Sequence, residues 1–213
     1  MKIQNWGYIP YREAWERQKA IFNELIADRT GEEIIAVCEH PAVYTLGVHG
    51  HESNLLVKPG PEVEVVRIER GGDITYHGPG QLVVYPLIDL NRHKFGVKQY
   101  VELLERSVRQ TLEQYGITTT SNDSQIGVWL DWGKPTARKI CAIGVKISHG
   151  VTMHGLALNV NTDLSAFSLI NPCGITDKSV TSLQQELGYH VNFEEVARNL
   201  SDNLYKNLNS QGL

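Results

Sequence analysis

Apolar residues recur at helical spacing in three stretches of the chain. Tyr11, Trp15, Phe22, Leu25 and Ile26 form one stripe over residues 11–28, and Gly31 follows its end. Val101, Leu104, Val108, Leu112 and Tyr115 form a second over 97–115, with Gly116 as its stop. Phe193, Val196, Ala197, Leu200, Leu204 and Leu208 form a third. Asn192 precedes it with Glu195 three residues on, the pattern of a capping box.

Elsewhere the apolar residues gather into short runs. Glu33 to Glu39 and Ala42 to Leu46 read as buried strands interrupted by Pro41. Val63, Val65 and Val66 to Ile68 suggest another, and Leu82 to Ile88 a fourth. Ile126 to Leu130, Lys139 to Ser148 and Met153 to Val160 follow. The order helix, strands, helix, strands, helices lacks the regular alternation of βαβ units. It predicts an α+β (mixed α/β) fold, a mixed β-sheet flanked by helices. The 213 residues suit one domain, 1-213, with a sizeable core.

Composition, at 41% apolar and 21% charged, excludes disorder but selects no function. A net charge of -4 argues against a general nucleic-acid coat. No stretch approaches the roughly 20 apolar residues of a membrane span, and the first residues lack the apolar core of a signal peptide. The three cysteines, Cys38, Cys141 and Cys173, are odd in number and form no CxxC pair. They are expected to be reduced thiols in a cytoplasmic protein with no metal site.

Three segments carry candidate chemistry. The run Arg70-Gly71-Gly72-Asp73-Ile74-Thr75-Tyr76-His77-Gly78-Pro79-Gly80-Gln81 has four glycines and a proline between two strand candidates. It reads equally as a turn-rich connection or as a loop that brings backbone close to a ligand. It lacks the Gly-Lys-Ser/Thr of a phosphate loop. In Asn171-Pro172-Cys173-Gly174 the flanking residues place Cys173 on a loop. There a thiol with a lowered pKa can attack a carbonyl; a lone loop cysteine is more often incidental. Lys139 enters the apolar run Ile140-Cys141-Ala142-Ile143-Gly144-Val145, where burial would favour a neutral amine, although a lysine snorkelling at a strand end is the commoner case. By strand parity Lys139 and Cys141 share a face, which makes Cys141 a rival nucleophile. His49 and His51 are two histidines without a third ligand, and Asp163 and Asp177 would pair only through tertiary structure.

Taken together, these residues resemble the lipoyl(octanoyl) transferase family. The resemblance rests on Arg70-Gly-Gly-x-x-Thr75-Tyr76-His77-Gly-Pro-Gly80-Gln81, on Gly127-Val128-Trp129 with Arg138-Lys139-Ile140 and Gly144, on His154-Gly155-x-Ala157-Leu158-Asn159 with Asp163-Leu164, and on Pro172-Cys173-Gly174 with Thr181-Ser182-Leu183. The blocks run in the family's order from about His40 to Leu187. The resemblance implies a fold shared with lipoate ligases and biotin protein ligases. It also implies an acyl thioester on Cys173 and Lys139 as its activating partner. Arg70, Gly71, Gly72, Asp73, Ile74, Thr75, Tyr76, His77, Ala142, Ile143, Gly144, Gly155, Leu156 and Ala157 would line the acyl-substrate pocket. Cys141 stands where a small residue is expected.

The implied reaction moves an octanoyl group from acyl carrier protein to a lysine of a lipoyl domain, in 2-oxoacid dehydrogenase complexes or the glycine cleavage H protein. It is the first step of endogenous protein lipoylation and needs no cofactor. A monomer without nucleic-acid or membrane partners is expected. Arg92, Lys94, Lys98, Arg106 and Arg109 are docking candidates for acidic partners, or simply a solvated helix face. The rivals are an ATP-dependent ligase of the same fold, a transferase between lipoyl-bearing proteins, and a non-catalytic binding module.

Overall fold

The computed structural model describes residues 1–57, 60, 63–120, 125–171 and 179–210. The first half of the chain contributes β1 (Lys2–Tyr8), α1 (Tyr11–Ala27), β2 (Ile34–Glu39), β3 (Val43–Leu46), β4 (Glu64–Arg67), β5 (Ile74–His77), β6 (Gln81–Leu87), α2 (Leu90–His93) and α3 (Val97–Glu113). The second half contributes β7 (Val128–Leu130), β8 (Arg138–Ser148), β9 (Val151–Asn159), β10 (Ser179–Val180), α4 (Leu183–Leu187) and α5 (Phe193–Asn209). One sheet runs β1-β2-β6-β9-β8-β10, with β7 also paired to β8; the other runs β4-β3-β5. The large sheet is mixed: β1–β2 and β8–β10 are parallel, whereas β2–β6, β6–β9, β8–β9 and β7–β8 are antiparallel.

Alternation along the strands divides the large sheet into two faces. Ile35, Val37, Leu82, Val84, Leu156 and Leu158 point to one side and pack with Leu104, Val108 and Leu112 of α3 and Val196, Leu200 and Leu204 of α5. Ile34, Ala36, Cys38, Val83, Tyr85 and Ala157 point to the other, towards Ala14 and Ile21 of α1. The third helical stripe begins as expected, with the Asn192 side chain accepting from the Glu195 N–H at 3.2 Å.

The short elements β10, α2 and α4 lie outside the sequence expectation, and so do β1 and β5. β1 reads as polar because most of its side chains are exposed; it is held by its parallel backbone ladder to β2. β5 lies inside the glycine-rich run, because Ile74 to His77 pair with Val43 to Leu46 of β3. The shared face of Lys139 and Cys141 is also corrected. Val128 pairs with Cys141 and the next residue, Trp129, with Lys139, so β8 carries an extra residue there. The bulge breaks the two-residue alternation. Cys141 therefore turns into the core against α3, its thiol pushed strongly up in pKa by burial. A thiol so buried is a packing group.

Candidate active site

A cavity of about 120 Å³ opens on the α1 side of the large sheet. Its floor follows from side-chain size. Ala142 pairs directly across β8 and β9 with Ala157, and Gly144 with Gly155. Four such small residues on neighbouring strands leave a trough where larger ones would fill the space. A side chain at Gly155 would strike the Val84 carbonyl and Pro86, so β6 also requires glycine there.

The roof is the glycine-rich loop. The Gly71 N–H donates to the Val145 carbonyl at 3.0 Å, which lays the loop across the sheet. A Cβ on Gly144 would stand 3.0 Å from the Gly71 carbonyl oxygen and 3.1 Å from Arg70 Cδ, a contact only glycine makes without displacement. Arg70 is itself buried. Its Nη2 donates to the Thr45 carbonyl at 2.7 Å and its Nη1 to the Gly71 carbonyl at 3.0 Å. Asp73 accepts from the Ile74 N–H at 2.7 Å and from Asn54 Nδ2 at 2.5 Å.

Lys139 stands at the other end of the trough. Its Nζ lies 4.6 Å from the centre of the Trp129 ring, a cation–π distance. Gly127, at φ 115, closes on its stem: a Cβ there would meet the Cys141 carbonyl oxygen at 2.7 Å and Lys139 Cε at 3.4 Å. The Gly127 N–H is held by the Glu105 carboxylate at 3.0 Å. On the far side, β10 runs beside the lysine with Val180 paired to Lys139, and the Thr181 N–H donates to the Lys139 carbonyl at 2.9 Å.

A chain of buried polar groups backs the site. His77 Nδ1 lies 2.7 Å from Gln81 Oε1. Gln81 Nε2 donates to Asn159 Oδ1 at 2.9 Å, and Asn159 Nδ2 to the Thr181 carbonyl at 3.0 Å. These bonds tie the roof loop to the strand beside Lys139. His77 stacks on Tyr11 at 5.7 Å and meets His40 edge-on; His40 Nε2 in turn bonds the Tyr85 hydroxyl at 2.8 Å. Burial brings the pKa of His40 down to about 4 and those of His77 and His154 to about 3, so all three imidazoles are neutral at pH 7. Among the described residues, no group of three or more His, Cys, Asp or Glu has a metal-binding arrangement.

The model for the lipoyl protein ligase A/B catalytic domain matches residues 10–205. The chain belongs to that family. Among curated relatives, the octanoyltransferase of Bacteroides thetaiotaomicron is 51% identical over 98% of this chain and 96% of its own length. That of Christiangramia forsetii is 46% identical over 94% and 92%. Among solved structures, the bipartite lipoate protein ligase of Thermoplasma acidophilum covers 97% of this chain and 83% of its own, with a TM-score of 0.70 and 16% identity. The biotin protein ligase of Aquifex aeolicus covers 97% and 70%, with a TM-score of 0.56 and 14% identity. At those identities the two structures establish the fold alone, the mixed sheet flanked by helices expected from the sequence.

Lys139, Arg70 to Thr75, His77, Ala142 to Gly144 and Gly155 to Ala157 all line the one cavity. Tyr76 does not. Its ring turns away, 5.3 Å from Tyr44 and 5.5 Å from Phe167, because strand alternation in β5 sends it to the opposite side from His77. Cys173, with Pro172, Gly174 and Asp177, lies outside the described residues. Tyr11, Val83, Tyr85 and Phe167 line the cavity without having been picked out as site residues. Tyr11 belonged to a helical stripe. Val83 and Tyr85, at two-residue spacing from Gln81, carried a signal that only a known cavity face would have revealed. Of the docking candidates, Arg92 lies 3.6 Å from Glu33, Lys98 3.6 Å from Glu102 and Arg109 3.5 Å from Glu105. α3, which carries Lys98, Arg106 and Arg109, covers the face turned away from the cavity.

Proposed function

We propose that this chain is an octanoyltransferase of protein lipoylation, acting as a single catalytic domain through a Cys173 thioester. The observation that carries the reading is the trough of cross-paired small residues ending beside Lys139, in a chain half identical to named octanoyltransferases. An alkyl chain fits such a trough, and each buried methylene contributes about 0.8 kcal/mol. The position of Cys173 in the sequence supports its part. Ser179 lies six residues on and pairs with Arg138, next to Lys139, and six residues span at most about 20 Å.

In this mechanism an acyl carrier protein presents the octanoyl thioester. Lys139 accepts the Cys173 proton, and the thiolate attacks the thioester carbonyl. The tetrahedral adduct expels the carrier thiolate, which takes the proton back from Lys139. Thioester exchange is nearly isoenergetic, so positioning and proton transfer dominate this half. An acceptor lysine of a lipoyl domain, its ammonium having lost one proton to solvent, then attacks the Cys173 acyl carbonyl; Lys139 takes the second proton from the nitrogen and passes it to the cysteine sulfur as the C–S bond breaks, which restores the thiol. Amide formation from a thioester is downhill and consumes no nucleotide.

The test uses the purified chain with octanoyl-carrier protein and no ATP. A mass gain of one octanoyl group mapped to Cys173, lost in Cys173→Ser and retained in Cys141→Ser, is expected. A requirement for ATP with no cysteine adduct would assign the ligase reaction instead.

A further inference from the structure

The trough has two unlike ends. Lys139 and the short strand β10 flank one. The other lies further along β8, where Val145 pairs with His154 just beyond the Gly144–Gly155 pair. Here the loop of Arg70 and Gly71 crosses the sheet and His154 joins the cavity wall. Up to this point the floor is Ala142, Ala157 and two glycines. Beyond it stand Arg70, the histidine and the amide of Gln18, whose Oε1 accepts from the His154 N–H at 3.0 Å.

His154 is unusual in two independent ways. It sits at φ 62, a left-handed conformation inside a regular strand and costly for a side chain of its size. Its ring is buried, yet among the described residues neither nitrogen has a hydrogen-bond partner. Buried polar atoms without partners are rare in native interiors. A glycine here would remove both penalties. What the imidazole supplies is bulk where the apolar trough stops.

The geometry points to His154 as the residue that sets acyl chain length, by closing the distal end of the trough. This rests on the acyl-transfer reading above and names the specificity of that site. A growing alkyl chain gains about fourfold in affinity for each methylene laid on the small-residue floor. At His154 the gain ends. A further methylene must displace the ring against Gln18 and Arg70, an overpacking that costs more than the methylene gains. Burial holds the ring uncharged, with Arg70 and Lys146 adding to the effect, so the stop acts by size.

The test compares His154→Gly with the wild-type enzyme on hexanoyl, octanoyl, decanoyl and dodecanoyl carrier proteins, reading acyl-enzyme formation by intact mass. Glycine accepts the backbone angle, so the variant retains the strand. The ratio of dodecanoyl to octanoyl rate is expected to rise about tenfold or more. His154→Asn, which tolerates the left-handed region and leaves a shorter polar wall, is expected to shift the ratio the same way by less, and is read alone if the glycine variant does not fold. A ratio within twofold of wild type in the folded variant overturns the proposal. If the wild-type enzyme forms no Cys173 adduct, the thioester reading fails separately. The same series is then read as binding of the free fatty acids by calorimetry, which depends on the trough alone. There too an unchanged length profile overturns the role of His154.

Discussion

The two faces of the large sheet are built from the same strands and do opposite work. On the α3–α5 face, Leu82, Val84, Leu156 and Leu158 are buried and pack into one apolar cluster with the two helices. On the α1 face the residues between them are Gln81, Val83, Tyr85, Gly155, Ala157 and Asn159, which enclose a cavity and a hydrogen-bonded polar chain. One residue of offset along β9 separates the packed core from the cavity. The rigid face lets the open one keep its shape, because strands locked on one side cannot collapse to close the trough on the other.

Three experiments probe this division. The largest effect is expected at the reactive end: Lys139→Ala should slow single-turnover octanoyl transfer by about 10²- to 10⁴-fold, the usual contribution of a positioned proton acceptor. Its melting temperature should stay within a few degrees of wild type. A transfer rate near that of wild type would remove Lys139 from the chemistry.

Next come neighbouring residues on opposite faces. Ala157→Leu fills the trough and should reduce acyl-enzyme formation on the order of 100-fold through misplacement of the acyl group. Leu158→Ala, at a fully buried core position, should lower unfolding stability by about 2–5 kcal/mol in a denaturant titration. The acyl chain-length profile of that variant should not change. If the two variants gave the same pattern of losses, the faces would not be functionally separate.

The smallest effect per group is the pH dependence. His40, His77 and His154 all lie on the cavity side, with folded pKa values brought down to about 4, 3 and 3 from 6.5. A histidine of depressed pKa binds its proton in the unfolded chain first. Each should therefore reduce stability as pH falls below about 6.5, by about 1.4 kcal/mol per unit, until the folded pKa is reached. Unfolding free energy measured from pH 7 to pH 5 should decline with a slope that flattens by about one proton in His40→Gln. A slope unchanged by that substitution would show that His40 is not held neutral.

The sequence by itself determined the three long helices, most strands and the mixed-sheet class, because apolar period and glycine stops are local properties of the chain. The ordered blocks from Arg70 to Leu183 likewise pointed to Lys139 and the small-residue floor through the family they resemble. Only tertiary structure decided three things. It turned Tyr76 out of the cavity through its pairing with β3, sent Cys141 into the core through a bulge opposite β7, and set His154 across the end of the trough. Each depends on which strand lies alongside and in what register, a relation between distant segments that no local pattern carries.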